Sequence, residues 1–309
     1  MKVFLTGATG AIGSATVRGL RAEGHDVRAV ARTDEKAAQL RELGAEPIAV
    51  DLFDGDAVKA AVEGREAVLH LATHVPLMRQ MRSKNGWSEH NRLRTTANEL
   101  LIDAVLTTGA HIYVKESVTF SYPDRGDAWI EESAPPDDSI AMLRPTLEGE
   151  RMVERFTAEG GRGVVLRFGS FYGPTARIVD EALRLARWRM SILAGAPDGY
   201  VSSIHTDDVA GAAVAALDAP AGVYNAVEDE PATRREYLDA FSDAFDLRRL
   251  RPTPTWLVKL IAGSGAEAVV RSQRVSNRKL RDATEWTPRF PSVREGWPAV
   301  AEAREASHA

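Results

Sequence analysis

Three glycines, Gly7, Gly10 and Gly13, punctuate the run Thr6-Gly7-Ala8-Thr9-Gly10-Ala11-Ile12-Gly13 near the start of the chain. The chemistry such a run can do is phosphate binding. Gly7 allows a tight turn, Gly10 lets the main chain approach a pyrophosphate, and Gly13 lets the next helix pack close to a sheet. A helix beginning there presents free N–H groups and the positive end of its dipole to the phosphates. Thr9, Ala11 and Ile12 therefore join the glycines as cofactor-binding positions. Further on, Val30-Ala31-Arg32-Thr33 ends a second strand with an arginine and no carboxylate. An arginine there can pair with a ribose 2′-phosphate, so NADP(H) is the expected cofactor. Asp34 lies close by and keeps NAD(H) as the alternative; Arg32 could also be a solvated surface charge.

These residues need elements to position them. Lys2–Leu5, Asp26–Ala31, Glu46–Val50, Ala67–Leu71, His111–Val114 and Gly163–Phe168 read as strands. Ala11–Glu23, Asp34–Leu43, Gly55–Glu63, Asn91–Leu106 and Leu147–Glu159 read as the helices between them. Strands and helices in this alternation give right-handed βαβ units and a parallel sheet. The expected fold is α/β: a Rossmann-type doubly wound parallel sheet with a smaller C-terminal α/β substrate domain. Residues 1–170 form the dinucleotide-binding part, 200–227 return to it, and 171–309 mainly bind substrate. Beyond Gly173-Pro174, helices are expected over Arg177–Arg189, Val209–Leu217 and Thr233–Phe245, with a strand at Gly222–Val227. The tail from Leu247 gives no clear pattern.

Composition narrows the function. The chain has 309 residues, enough for a large core without metal or disulfide staples. A net charge of −5 favours neither nucleic acid nor an anionic membrane as partner. The absence of cysteine excludes thiol nucleophiles and thiolate metal sites. The apolar start, Met1 to Leu5, is too short for a signal peptide, and no segment is long enough to span a bilayer. A cytoplasmic protein acting on a small molecule is the expectation.

The glycine run, Val50-Asp51-Leu52 and His70-Leu71-Ala72-Thr73 together resemble an extended short-chain dehydrogenase/reductase, and more narrowly its NAD-dependent epimerase/dehydratase branch. Asn91, Leu166-Arg167-Phe168, Tyr172-Gly173-Pro174 and Ile204-His205-Thr206-Asp207-Asp208-Val209-Ala210 continue the match in order. The resemblance implies Asp51 and Leu52 beside the adenine, and Leu71, Ala72 and Thr73 along the ribose and nicotinamide. It places Asn91 near the site and Phe168, with Gly169 and Ser170, against the nicotinamide face, although the family usually has proline at Phe168. His205, Asp207 and Asp208 resemble metal ligands by type. The family uses them as a turn ahead of a helix, with Asp207 or Asp208 as cap, so no metal is expected. Family members often dimerise through two helices, here those containing Asn91 and Leu147.

One departure bears directly on function. The family's chemistry needs a tyrosine and a lysine four residues apart, the first to move a proton and the second to lower its pKa and hold the ribose. The positions four beyond Tyr113, Tyr122, Tyr172, Tyr200, Tyr224 and Tyr237 hold Ser117, Gly126, Ala176, Ile204, Glu228 and Phe241. Anchored on Glu150, the family positions fall on Met142 and Thr146, which supply neither the acid nor the charge. Ser117 matches the family's serine and could polarise a substrate carbonyl, with Thr119 as neighbour. His74, which follows the cofactor loop, and Tyr122, if its loop folds inward, are further proton-donor candidates. Each could equally be an ordinary loop or strand-end residue. The basic stretch Arg271–Lys279 could bind a substrate diphosphate or form a salt-bridged face.

Three functions follow. The leading one is an NADPH-dependent reductase that passes hydride to a carbonyl of a small or polycyclic molecule. It is similar to the ketoreductases of polyketide biosynthesis that also lack the tyrosine. The second is a nucleotide-sugar epimerase or dehydratase with rearranged catalytic groups. The third is a non-catalytic NADP(H) sensor.

Overall fold

Short apolar runs bounded by glycine and separated by amphipathic stretches have one economical solution, strands buried on both faces by helices. The computed structural model describes residues 1–10, 12–74, 86–262 and 266–308; Ala11, expected in the phosphate loop, lies outside the described residues. The strands are β1 (Lys2–Thr6), β2 (Asp26–Val30), β3 (Glu46–Ile48), β4 (Ala67–His70), β5 (Ile112–Val118), β6 (Trp129–Ile130), β7 (Arg162–Phe168), β8 (Ser170–Tyr172), β9 (Tyr200–Val201), β10 (Ser203–His205), β11 (Gly222–Ala226), β12 (Ala232–Thr233) and β13 (Arg274–Val275). The helices are α1 (Gly13–Ala22), α2 (Asp34–Glu42), α3 (Gly55–Val62), α4 (Ser88–Arg92), α5 (Asn98–Thr108), α6 (Arg144–Ala158), α7 (Arg177–Ala186), α8 (Thr206–Ala215), α9 (Arg234–Ala244), α10 (Thr255–Ala262), α11 (Ala266–Val270), α12 (Arg278–Ala283) and α13 (Val293–His308).

Seven strands form one parallel sheet in the order β11-β7-β5-β4-β1-β2-β3. Successive strand residues face opposite sides. Val3, Leu5, Val114 and Leu166 join one core with Val17 of α1 and Val209 of α8. Phe4, Tyr113 and Val165 join the other, with Val58 of α3, Leu101 of α5 and Phe156 of α6. The order reverses between β1 and β4, the switch point at which doubly wound sheets bind ligands beyond the strands' carboxyl ends.

A third core, built from Tyr172, Tyr237, Phe241 and Trp297, packs α7, α9 and α13 together. It is tied to the sheet by polar contacts. Glu228 accepts from Tyr172 and from the Ser203 hydroxyl at 2.6 Å. Burial pushes the Glu228 carboxyl up to about 7. Asp208 accepts from the main chain of Arg289 and Phe290 at 2.6 and 3.1 Å, which pins the tail to α8. The cap of α8 is therefore His205, whose Nδ1 accepts from Asp207 N at 3.2 Å, rather than the expected Asp207 or Asp208.

The single helix expected over Asn91–Leu106 is three pieces. Between α4 and α5 the chain makes a wide π-turn over Leu93–Ala97. Thr95 Oγ1 donates to the Asn91 carbonyl at 3.0 Å. A side chain that occupies a helical acceptor loosens the ladder and lets the turn widen. Asn91 thus lies inside α4 and does not cap a helix.

Candidate active site

β1 ends at Thr6 and the chain turns at Gly7, whose φ of +77° suits only glycine. A Cβ on Gly7 would lie 2.6 Å from the Leu71 carbonyl carbon, and one on Gly13 would lie 2.1 Å from the Gly7 oxygen. The protein itself requires those two glycines. Gly10 differs: among the described residues beyond its chain neighbours a Cβ there would meet the Gly7 oxygen alone, at 3.4 Å, and the residue is exposed. The space above Gly10 is free for a ligand. α1 starts beside it with no side-chain cap and no acid in its first turn. Ser14 N donates to Gly10 O at 3.3 Å; a helix start without a side-chain cap or an acid still suits an anion. The residues present fit a dinucleotide pyrophosphate.

The loop after β4 is stapled to this cradle. Leu71 is buried, and its N donates to Thr6 O at 3.3 Å. Ala72 N donates to Thr6 Oγ1 at 3.3 Å. Thr73 is exposed, with its Oγ1 3.3 Å from His90 Nδ1.

Arg32 follows β2 with a largely exposed side chain, and its Nη1 donates to Glu89 Oε1 at 3.3 Å. His74 Nδ1 lies 3.7 Å from the other oxygen of Glu89. This shared carboxylate ties His74 to Arg32 rather than to Ser117. Asp51 is exposed and accepts from Phe53 N at 3.0 Å, while Leu52 is buried beside it. The Arg92 guanidinium stacks 3.8 Å above the Phe53 ring. Arg32, Glu89, Arg92 and the Asp51–Phe53 turn thus form one continuous surface beyond β2 and β3.

Beneath the carboxyl ends of β4, β5 and β7 lies a buried group of charges. Arg94 pairs with Glu116 at 2.9 Å, each side chain under 5% exposed. Arg167 pairs with Glu150 through two bonds, 3.0 and 2.6 Å. Ser117 donates its hydroxyl hydrogen to the same Glu150 carboxylate. Lys115 is buried, and its Nζ donates to the Glu116 carbonyl at 3.2 Å. Burial, with Arg94 nearby, lowers its amine to about 8.

His90 Nε2 accepts from Arg94 Nε at 2.9 Å, so its hydrogen sits on Nδ1. Burial and then Arg94 hold His90 down to about 3, and His70 is held equally low by burial, Lys115 and Arg94. Both rings are neutral at physiological pH.

Tyr122 is fully buried. Its hydroxyl donates to Asn225 Oδ1 at 2.8 Å, and Arg167 stacks over its ring at 4.8 Å. Burial raises its phenol further above neutrality. Met142 and Thr146, the positions of the absent relay, lie in a 3-10 turn over Ala141–Leu143 and in the first turn of α6. The Phe168 ring is packed in the core, so this residue offers the strand-end surface only its main chain.

Sequence reasoning missed Lys115, Glu116, Arg94 and Glu150 as parts of one cluster. Charges inside a β-strand were the available signal, since such residues are seldom buried without a partner.

The substrate side is apolar. Val118, Phe120 and Met142 remain partly exposed around a small core of Ile140, Leu143 and Ala268. Ala268 belongs to α11, which packs against the turn following β5. α10 leads into α11 and exposes Trp256 and Leu260. Trp286, Phe290 and Trp297 are core residues and leave that surface to the others.

Three of the four cations in the basic stretch touch other parts of the fold. Arg271 donates to Tyr122 O at 3.0 Å and pairs with Asp137. Arg274 lies between the Trp129 and Tyr200 rings at 4.2 and 4.9 Å. Lys279 donates to Val223 O at 2.8 Å.

The chain is similar to proteins of known family and fold. A family described as NAD dependent epimerase/dehydratase matches residues 3–226. A 3-diazoavenalumate denitrifying reductase from a Streptomyces species is 32% identical over 309 residues, covering 96% of this chain and 99% of that protein. The crystal structure of human epimerase family protein SDR39U1 with NADPH superposes with a TM-score of 0.83 at 24% identity, covering 98% and 99% of the two chains. The structure of MoeE5 with UDP-glucuronic acid and NAD superposes with a TM-score of 0.80 at 24% identity, covering 99% and 100%.

Proposed function

The chain belongs to the NAD dependent epimerase/dehydratase family, and from that premise we propose that it is an NADPH-dependent reductase passing hydride to a carbonyl of a small or polycyclic molecule. It is an NAD(P)-dependent oxidoreductase; the cofactor preference and the acceptor are our reading. One observation carries that reading. The hydroxyls that could serve as acid are hydrogen-bonded into the protein, Ser117 to Glu150 and Tyr122 to Asn225, while Met142 stands where the family's tyrosine would be. Such a site suits an acceptor that needs no proton from a protein acid during the chemical step.

In this proposal the N–H groups around Gly10 and Ile12 hold the pyrophosphate, with Thr9 beside them. Arg32 holds the 2′-phosphate, Asp51 and Leu52 border the adenine, and Leu71, Ala72 and Thr73 follow the ribose. Asn91 steadies the turn behind them, and the main chain from Phe168 lines the nicotinamide face. When bound, the cofactor supplies the hydride. Val118, Phe120 and Met142 exclude water around a flat acceptor, which strengthens electrostatic contacts there. Ser117 reaches the acceptor oxygen only by releasing Glu150, so water or the substrate supplies the proton. His74 steadies Glu89. The part of 171–309 outside 200–227 borders the substrate, and a homodimer would form through the helices α5 and α6. A nucleotide sugar is less well supported, because Arg271, Arg274 and Lys279 are already engaged.

A diazo group is a second acceptor, favoured by the same lack of an acid and by the activity in the Streptomyces relative's name. Hydride replacing dinitrogen on a diazonium carbon, R–N2+ + H− → R–H + N2, balances without any proton from the protein. The deciding experiment follows NADPH oxidation with a panel of ketones, quinones and aryl diazonium ions while measuring dinitrogen. Oxidation by ketones or quinones supports the carbonyl reading, and gas release with diazonium alone moves the assignment to the second. Binding of NADPH with no turnover of any panel member would leave the sensor role in possession. Thermal stabilisation by UDP-sugars would instead favour the nucleotide-sugar role.

The cofactor preference has its own test. Arg32→Ala should weaken NADPH binding about tenfold, roughly the worth of one charge-assisted phosphate contact. NADH binding should change less than about twofold, because that ligand lacks the phosphate. Fluorescence titration of both cofactors reads the difference. Equal losses for the two would remove Arg32 from phosphate recognition.

A further inference from the structure

The buried charges beneath the strand ends do not balance. Arg94, Lys115 and Arg167 are cations, and Glu116 and Glu150 are the carboxylates among them; all five are at most 8% exposed. The carboxylates are taken. Glu116 faces Arg94 with contacts of 3.0 and 2.9 Å, and Glu150 grips Arg167 from two sides. Lys115 is left with a main-chain oxygen as its hydrogen-bond acceptor. The fold makes room for this residue: a Cβ on Gly149 of α6 would lie 2.5 Å from Lys115 Cε. His70 on β4 and His90 on α4 also face this region, and both are neutral, so neither compensates nor adds to the charge. Among the described residues the cluster therefore carries one more cation than carboxylates, on a side chain of β5 two residues before Ser117.

We propose that Lys115 makes the cofactor site discriminate by redox state, favouring the reduced, uncharged nicotinamide ring over the oxidised, cationic one. This rests on the dinucleotide reading above, which places the nicotinamide at the carboxyl ends of β4 and β5. The two cofactor forms share every phosphate and sugar and differ in ring charge. A fixed cation under the site acts on that difference alone, and low-dielectric surroundings sustain its field. The consequence is functional. NADPH enters against little competition, and NADP+ leaves readily after each turnover. Because Lys115 titrates near 8, discrimination should fade in alkaline solution as the amine loses its proton. Arg94 and Arg167 keep their charges there, and their carboxylate partners keep cancelling them.

The test is direct binding, not turnover. Dissociation constants for NADPH and NADP+ are measured by calorimetry on the full chain, across the alkaline range, for wild type, Lys115→Met and Lys115→Arg. Wild type at neutral pH should favour NADPH by about tenfold, the scale of one charge acting through a partly screened medium. That ratio should fall toward the Lys115→Met value as pH rises. Methionine fills the same slot without charge, so Lys115→Met should fold at least as stably as wild type. Lys115→Arg, if it folds, should hold its ratio in alkali because guanidinium does not titrate there. The wild-type pH series stands alone if it does not fold. Tight binding of both forms with a ratio near one, or an unchanged ratio in Lys115→Met, overturns the proposal while leaving the reductase reading intact. If wild type binds neither form, both fall.

Discussion

Gly10→Val should cost the protein its dinucleotide and leave its fold alone. The position has no positive φ, and among the described residues beyond its chain neighbours an added Cβ meets one main-chain oxygen, at 3.4 Å. Nothing in the protein needs glycine there, so the requirement must come from the ligand. A valine side chain would occupy the place where a pyrophosphate lies against the main chain. Affinity should fall by at least about 100-fold, close to 2.7 kcal/mol. Gly13→Val is the contrasting variant, because its Cβ would lie 2.1 Å from the Gly7 oxygen and 2.6 Å from the Ala8 Cα. Main chain cannot yield that far, so Gly13→Val should fail to fold or unfold many degrees lower. Thermal scans with and without NADPH separate the two. Gly10→Val should melt with apo wild type and gain nothing from the ligand. Retained stabilisation by NADPH in Gly10→Val would end the phosphate-cradle account.

Glu150→Ala should be among the most destabilising single changes in the molecule. It strips the partner from Arg167, which is 4% exposed and would be left as a buried, unpaired charge. Breaking a buried pair from one side costs roughly 3–5 kcal/mol. In a chain of this size that corresponds to a melting temperature about 5–8 °C lower. Ser117 loses its acceptor at the same time. Replacing both partners with apolar residues, Glu150→Leu with Arg167→Met, should recover most of the loss, since no charge then remains to be desolvated. Denaturant unfolding of the two singles and the double gives the coupling. An additive cycle, with the double as unstable as the singles combined, would mean that the pair does not act as a unit.

Much of the site's outline could be read from residue order. Strand β1, the glycine turn and α1 follow one another within a few residues, so their relative placement is local and the sequence pattern suffices. The arginine after β2 and the Asp51 turn after β3 are legible for the same reason, each lying at a fixed offset from a strand end. The missing tyrosine–lysine pair is a matter of composition and spacing. The π-turn at Leu93–Ala97 was not legible, because it depends on which acceptor the Thr95 hydroxyl selects. The tail beyond Leu247 was unreadable because α11 and α12 are short, α13 carries Pro298 inside it, and the whole segment is held by distant groups, such as Asp208 gripping the main chain at Arg289.

The order of residues by itself determined a doubly wound sheet with a glycine-rich turn after its first strand, and the absence of a tyrosine and lysine four residues apart. Both are short-range properties, fixed by periodicity and by which side chains exist. Tertiary structure alone decided what the remaining polar groups do. In one dimension Ser117 reads as a donor to a substrate carbonyl and Tyr122 as a proton donor, yet folding sets them against Glu150 and Asn225, residues 33 and 103 positions away. It likewise closed two ion pairs and left Lys115 without one. A side chain's chemistry is set by its neighbours' charge and by its distance from water, and those neighbours are chosen by the packing of the whole chain.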